Sequence, residues 1–220
     1  MRLVLGIDEA GRGPIIGSLF ICGALFNEND LDKLKELGVK DSKLLSNKTR
    51  FELEKDIKKI AKKIKIIRIK PEEIDNAVED KINLNLNWLE AIKTALIINE
   101  LNPDKAIVDC PSVNIKKYKE FLLNLLKNKS IDLVIEHKAD LNHVCVSAAS
   151  IMAKCKREEE ISDIKKKYGD IGSGYPSDPS TQKFLKENGK KYPEMFRKSW
   201  STWKKLYDKN QKKLDEFSKF

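Results

Sequence analysis

Four acidic residues lie at equivalent places in the sequence, each at or just after the end of an apolar run typical of a strand. Asp8 and Glu9 end the first run, Asp109 ends the fourth, and Asp140 lies just past the fifth. Ligands of open α/β sheets bind outside the carboxyl ends of the strands, so neighbouring strands would bring these carboxylates together. Such a cluster, with little His or Cys, favours a hard cation such as Mg²⁺ or Mn²⁺. The alternative is that each acid is a solvated turn residue or a helix cap.

A glycine-rich turn, Gly11-Arg12-Gly13, follows the first two acids almost directly. Glycines let the backbone approach a ligand closely, and successive N–H groups can bind phosphate or hydroxyl oxygens. A tight hairpin turn would use the same residues, so the turn alone supports either interpretation.

Three polar residues, Ser147, Ser150 and Lys154, recur at the spacing of one helix face near the start of a predicted helix. The N-terminal end of a helix favours phosphate. The alternative is that the stretch of serines and alanines provides small residues for close packing of the helix on the sheet.

A single tyrosine, Tyr175, stands in a loop rich in glycine and proline. It is either an exposed residue that stacks on a ligand or a lid over the core.

The elements that position these residues follow from hydrophobic periodicity and from turn residues. Strands are predicted over 3–7, within 15–26, and over 65–70, 105–109 and 131–136. Helices are predicted over 30–37, 46–63, from 71, over 84–101, 114–127 and 144–168, and twice after 180. This order predicts an α/β fold with a mixed five-stranded sheet flanked by helices. Its first three strands would be antiparallel and its last two would be parallel additions, with a C-terminal helical extension.

Charge is distributed unevenly along the 220 residues, whose formal net charge is +9. Residues 181–220 contain 12 Lys and Arg against 5 Asp and Glu, a net charge of +7. This asymmetry indicates a nucleic-acid partner better than a uniformly basic chain would. We therefore expect a catalytic domain over 1–180 and a basic helical part over 181–220, packed on the same domain.

Cysteine usage and the N-terminal sequence indicate the compartment. The four cysteines form no C-x-x-C pair, and only two histidines are available, so a zinc site is not expected. The N-terminal sequence MRLVLGIDEAG leads directly into a strand pattern, and no apolar run is long enough to span a membrane. We expect a soluble, cytoplasmic protein with reduced thiols.

Taken together, these residues resemble the type 2 ribonucleases H, the ribonuclease HII family. The matching motifs are GIDEAGRGP at 6–14, DSK at 41–43, VD at 108–109, KAD at 138–140, VSAASIMAK at 146–154 and GSGYPSD at 172–178. Their order and spacing extend over about four fifths of the chain, and the first motif is highly specific.

The resemblance implies a ribonuclease H-like fold, cleavage of the RNA strand of RNA–DNA hybrids, and incision 5′ of ribonucleotides embedded in duplex DNA. The residues it implies as metal ligands and catalytic groups are Asp8, Glu9, Asp109 and Asp140. Those implied to read the sugar at the RNA-to-DNA junction are Gly11, Arg12, Gly13 and Tyr175, and we expect further substrate contacts from Lys43, Ser147, Ser150 and Lys154. Two divalent cations, Mg²⁺ or Mn²⁺, would do the chemistry. The expected roles are DNA replication and ribonucleotide excision repair, as a monomer, with a replication clamp as a possible partner.

Two other functions are alternatives. A non-catalytic nucleic-acid-binding protein with this fold would use the basic C-terminus for affinity, but four carboxylates facing a phosphate would repel it unless cations intervene. A small-molecule phosphotransferase would need a phosphate-cradling motif such as G-x-x-x-x-G-K, which the sequence lacks.

Overall fold

A computed structural model of the chain describes residues 2–39, 45–79, 81 and 84–208. Its strands are β1 (Leu3–Ala10), β2 (Leu19–Asn27), β3 (Lys63–Ile69), β4 (Lys105–Asp109) and β5 (Asp132–Glu136). They form one sheet in the order β3-β2-β1-β4-β5. Strand β1 is antiparallel to β2 and parallel to β4, and β4 is parallel to β5. The predicted mixed five-stranded sheet is confirmed.

Nine α-helices are described in this part of the chain. They are α1 (Leu31–Glu36), α2 (Asn47–Ile60), α3 (Pro71–Val78), α4 (Leu86–Leu101), α5 (Ile115–Leu125), α6 (Ala139–Asn142), α7 (Val144–Tyr168), α8 (Pro179–Asn188) and α9 (Ser201–Tyr207). Side chains cap the starts of α2, α5 and α8: Ser46 accepts from the Thr49 amide, Asn114 from the Lys117 amide and Asp178 from the Ser180 amide. None of the described helices is long and apolar enough to cross a membrane.

Two differences from the predicted elements concern the site. Strand β1 continues through Asp8 and Glu9 to Ala10, where the apolar pattern alone ended it at residue 7. The eight-residue ladder to β2 holds the acidic pair in extended backbone even though its side chains are charged. The short helix α6 was not predicted, because a single turn has no periodicity to detect.

One compact unit contains almost the whole sheet: Met1–Ala10, Leu19–Arg68 and Leu86–Glu158. Two glycines bring helices close to its central strands. A Cβ on Gly6 would lie 2.2 Å from the Cys145 carbonyl group at the start of α7, and a Cβ on Gly23 would lie 2.3 Å from Ile97 of α4. Helices therefore pack directly on β1 and β2, which a larger residue at either position would prevent.

The other compact unit comprises Gly11–Ser18, Ile69–Asn85 and Glu159–Phe220. Its core joins residues distant in sequence: Ile15, Ile16, Ile161, Ile171, Phe184, Leu185, Met195 and Phe196. Ile15 and Ile16, which the hydrophobic pattern placed in a strand, belong to this core, and β2 begins only at Leu19. The predicted division at residue 180 stays a prediction.

Candidate active site

Three aspartates meet at the carboxyl ends of two parallel strands. Asp8 lies on β1, Asp109 ends β4 and Asp140 lies on α6, and one carboxylate oxygen from each lies within 4.8 Å of the others. Asp8 and Asp140 are buried and Asp109 is half-buried. The adjacency of β1 and β4 explains why Asp8 and Asp109 come together across so long a stretch of sequence.

Asp140 reaches this group through a sharp turn after β5. Lys138 has a φ of 59°, in the left-handed region that few residues other than glycine adopt. The next residue, Ala139, begins α6 and donates its amide hydrogen to Oδ1 of Asp109 at 3.3 Å. Backbone strain of this kind persists where the surrounding structure enforces it, and here it places Asp140 beside Asp109.

The electrostatics of the group are dominated by Asp8. Burial, together with the negative charge of Asp109, raises the pKa of Asp8 to about 7. Three groups oppose this shift: a hydrogen bond from the Ser150 hydroxyl, the Glu9 amide at 2.7 Å, and the charge of Lys154. These groups do not outweigh burial and the charge of Asp109, so a cation beside Asp8 would stabilise its charged form.

Glu9, the fourth predicted acid, is not part of this group as the structure describes it. Neighbouring residues of a strand point to opposite faces of the sheet. Burial raises the pKa values of Cys110 and Tyr118, and the charge of Glu9 adds to both shifts. Its assignment as a metal ligand stays a prediction.

The polar face of α7 lies against Asp8 and Asp140. Ser150 is fully buried, donates to Asp8 and accepts a hydrogen bond from Nζ of Lys154 at 2.9 Å. The Ser147 hydroxyl donates to the backbone oxygen of Asp140. The close approach of α7 to Gly6 also fits the alternative that small residues let this helix pack closely on the sheet. Ser147 and Ser150 therefore both pack and form hydrogen bonds. Direct substrate contacts from these three residues stay a prediction.

Lys43, predicted to bind substrate, lies outside the described residues, as does the rest of the DSK motif.

The turn Gly11-Arg12-Gly13 and Tyr175 lie together in the second compact unit. Gly11 has a φ of 87°, which favours glycine. A Cβ on Gly13 would lie 3.4 Å from Cε1 of the Tyr175 ring. Gly13 is exposed and Tyr175 is 42% exposed, so the ring is not a lid buried over the core. Their joint reading of a substrate sugar stays a prediction.

Two residues without a predicted role hold the Tyr175 loop. Asp178 accepts from the amides of Ser173, at 2.5 Å, and Ser180, and these bonds lower the pKa of Asp178 to about 2. Thr181 accepts from the Gly174 amide and donates to the Ile171 carbonyl, both at 2.9 Å. The Asp178-Pro179 pair at the start of α8 is a recognisable cap signal, but nothing local links it to Tyr175.

The donor set fits a hard divalent cation. Only carboxylate oxygens make up the group of three, which is the chemistry that Mg²⁺ and Mn²⁺ prefer. A cation there would offset both the energetic cost of burying the charged Asp8 carboxylate and its repulsion by Asp109.

Comparison with known proteins decides the family. The family model described as Ribonuclease HII matches residues 5–203. The chain belongs to the ribonuclease HII family. It is accordingly an endoribonuclease, and the resemblance read from the motifs is confirmed.

Similar ribonucleases HII match nearly the whole chain. That of Pyrococcus furiosus is 42% identical over 224 residues, covering 97% of both chains. That of Methanococcus maripaludis strain C7 is 45% identical over 210 residues, covering 93% of this chain and 87% of the relative.

Solved structures of the family share the fold. The ribonuclease H2 of Pyrococcus horikoshii OT3 is 39% identical with a TM-score of 0.86, covering 96% of this chain and 99% of that one. The structure of the PCNA:RNase HII complex from Archaeoglobus fulgidus includes a chain 39% identical with a TM-score of 0.82, covering 94% and 97%.

Proposed function

We propose that this ribonuclease HII hydrolyses the RNA strand of RNA–DNA hybrids and incises 5′ of ribonucleotides embedded in duplex DNA, leaving 5′-phosphate and 3′-OH ends. The family cleaves RNA paired with DNA. The observation that carries the proposal for this chain is the meeting of Asp8, Asp109 and Asp140 within 4.8 Å at the carboxyl ends of parallel strands.

Asp8, Asp109 and Asp140 would hold a divalent cation, Mg²⁺ or Mn²⁺, and Glu9 would contribute to a second. Two cations bound there would lower the pKa of the attacking water and neutralise charge on the departing 3′ oxygen. Lys154 and Ser150 favour the charged form of Asp8, the form that binds a cation. Hydrogen bonds hold the other two aspartates: the Ser147 hydroxyl donates to the backbone oxygen of Asp140, and the Ala139 amide donates to Oδ1 of Asp109.

Recognition of RNA would rest on the Gly11–Gly13 turn and on Tyr175. The 2′-OH distinguishes RNA from DNA and can both donate and accept. Exposed backbone at Gly13 admits a sugar closely, and the adjacent Tyr175 ring offers a flat apolar surface to the neighbouring deoxyribose. Lysines, Lys43 among those predicted, would contact phosphates without reading sequence.

The structure named above from Archaeoglobus fulgidus pairs a related ribonuclease HII with PCNA, and we extend this partner to the present chain as part of the proposal. The enzyme would work as a cytoplasmic monomer, engaging such a clamp during DNA replication and ribonucleotide excision. Co-elution of the two purified proteins tests the pairing, and failure to co-elute at micromolar concentrations would remove it.

The test of the activity is incubation of the protein with a labelled RNA–DNA hybrid, with Mg²⁺, with Mn²⁺ and with EDTA. Metal-dependent cleavage of the RNA strand alone is expected. Binding without cleavage under all three conditions would instead indicate a non-catalytic nucleic-acid-binding protein.

A further inference from the structure

Arg197 is a fully buried cation whose donors are directed at one short loop. Its guanidinium donates from Nη2 to the Gly11 carbonyl at 2.5 Å and from Nη1 to the Arg12 carbonyl at 2.7 Å. Nε donates to the Gly17 carbonyl at 3.0 Å. The backbone amide of Arg197 donates to the Ile15 carbonyl at 2.9 Å. The planar fork of arginine matches several acceptors at once, which the single ammonium of lysine does not.

Trp200 completes the set. Its Nε1 donates to the Gly13 carbonyl at 3.0 Å, and its ring lies beneath the guanidinium, 5.0 Å from Cζ of Arg197. The carbonyl oxygens of three consecutive residues, Gly11, Arg12 and Gly13, therefore all accept hydrogen bonds from this pair of side chains.

Fixing the carbonyls also fixes the amides. The peptide group is planar and trans, so an N–H points opposite to the carbonyl of the preceding residue. With the Gly11 and Arg12 carbonyls directed at Arg197, the N–H groups of Arg12 and Gly13 point away from it, side by side. The Gly13 carbonyl precedes Pro14, which has no N–H to direct.

The pair is itself anchored by a buried carboxylate on α3. Asp75 accepts from the Lys198 amide at 2.8 Å, from the Ser199 amide at 2.9 Å and from the Ser199 hydroxyl at 2.6 Å. Both residues between Arg197 and Trp200 are thereby held in place.

We propose that Arg197 and Trp200 are positioning residues that orient the Arg12 and Gly13 amides for recognition of a substrate 2′-OH. This rests on the proposed function, in which the turn reads the ribose. A cluster that merely stabilised the fold would affect binding of every nucleic acid alike. A positioning role instead affects the preference for a duplex that contains the 2′-OH.

The experiment compares binding of two DNA duplexes that differ only in one ribonucleotide, in Ca²⁺, with the duplexes checked for intactness afterwards. Arg197→Lys keeps the charge but not the fork, and Trp200→Phe keeps an aromatic ring, though a smaller one, while removing the N–H donor. Phe184→Leu weakens the core of the same compact unit without touching the turn, so it is the matched control. Thermal melting shows how far each variant is destabilised.

The wild type is expected to prefer the ribonucleotide duplex by about five- to tenfold, the value of one or two hydrogen bonds. In Arg197→Lys and Trp200→Phe the preference should fall below about twofold with all-DNA affinity unchanged, whereas Phe184→Leu keeps it. Preserved preference in Trp200→Phe and in folded Arg197→Lys overturns the inference, as does equal weakening on both duplexes. If the wild type has no preference, reading of the ribose by the turn fails as a proposed function, and the inference fails with it.

Discussion

The carboxylates of Asp8 and Asp109 approach within 4.8 Å at the ends of two parallel strands, and the charge of Asp109 contributes to the raised pKa of Asp8. Like charges so close are unfavourable in a buried site unless a cation or a proton neutralises them. If the two residues bind a metal as proposed, their repulsion would lower the stability of the metal-free protein.

Asp8→Asn and Asp109→Asn should each abolish cleavage while leaving the fold intact, because each removes a metal ligand without changing side-chain size. A loss of several kcal/mol of transition-state stabilisation corresponds to a decrease in kcat of at least about a thousandfold. Asp56→Asn, on the exposed face of α2, is the matched control and should retain full activity. Normal turnover of either site variant in saturating Mg²⁺ would contradict the assignment of that aspartate as a metal ligand.

The metal-free protein should lose stability as the pH rises through the range set by Asp8. The carboxyl has a pKa of about 7 in the folded state against 3.8 for the free side chain, so the folded state holds its proton more tightly. Between these values the unfolded state releases the proton first, and stability falls with increasing pH. Asp8→Asn removes this dependence and should be more stable than the wild type at pH 8.

The measurement is chemical unfolding in EDTA at pH 5 and pH 8. The advantage of Asp8→Asn over the wild type should grow by on the order of 2 kcal/mol between these values. A difference that does not change with pH would contradict the assignment of the buried carboxyl.

Ser150→Ala should raise the pKa of Asp8 further, since it removes a hydrogen bond that favours the charged form. Metal binding requires that form, so the acidic limb of the pH–rate profile should move to higher pH, while kcat at high pH changes little. Ser147→Ala is the control, because its hydroxyl donates to the backbone of Asp140 and not to Asp8. Identical pH profiles for the two variants would show that Ser150 only packs.

Much of the site follows from sequence because its residues come at the ends of well-patterned strands. The apolar runs before Asp8 and Asp109 predict that each acid ends a strand, and the parallel pairing of β1 with β4 in the structure then brings the two carboxylates together. The position of Asp140 does not follow from the strand pattern, because it depends on the left-handed backbone of Lys138 and on the single turn α6.

The Arg197 cluster could not be predicted, and one interpretation needs correction there. Arg197 counted toward the basic C-terminal surface, yet it is fully buried and binds backbone carbonyls at positions 11, 12 and 17. An arginine in a polar segment has the same local pattern whether it contacts phosphate or a distant loop. Only the tertiary fold, with Asp75 anchoring the adjacent backbone, distinguishes these roles.

Tyr175→Ala should reduce activity on a duplex with a single ribonucleotide more than on a uniform RNA–DNA hybrid. The ring lies against Gly13, where it would stack on the deoxyribose that follows the ribonucleotide. Tyr175→Phe keeps the flat surface and serves as the control, with near-normal activity on both substrates. The ratio of kcat/KM on the two substrates is the quantity to compare; equal losses would mean that Tyr175 merely supports its loop.

The most direct test of the account is a cleavage map on a DNA duplex containing one ribonucleotide, in Mg²⁺. Incision should occur on the 5′ side of the ribonucleotide, with 3′-OH and 5′-phosphate ends. The same duplex should remain intact when that sugar is deoxyribose or 2′-O-methyl, because a methyl group neither donates a hydrogen bond nor fits a close backbone turn. Cleavage at any other bond, or of the 2′-O-methyl duplex, would contradict recognition of the 2′-OH.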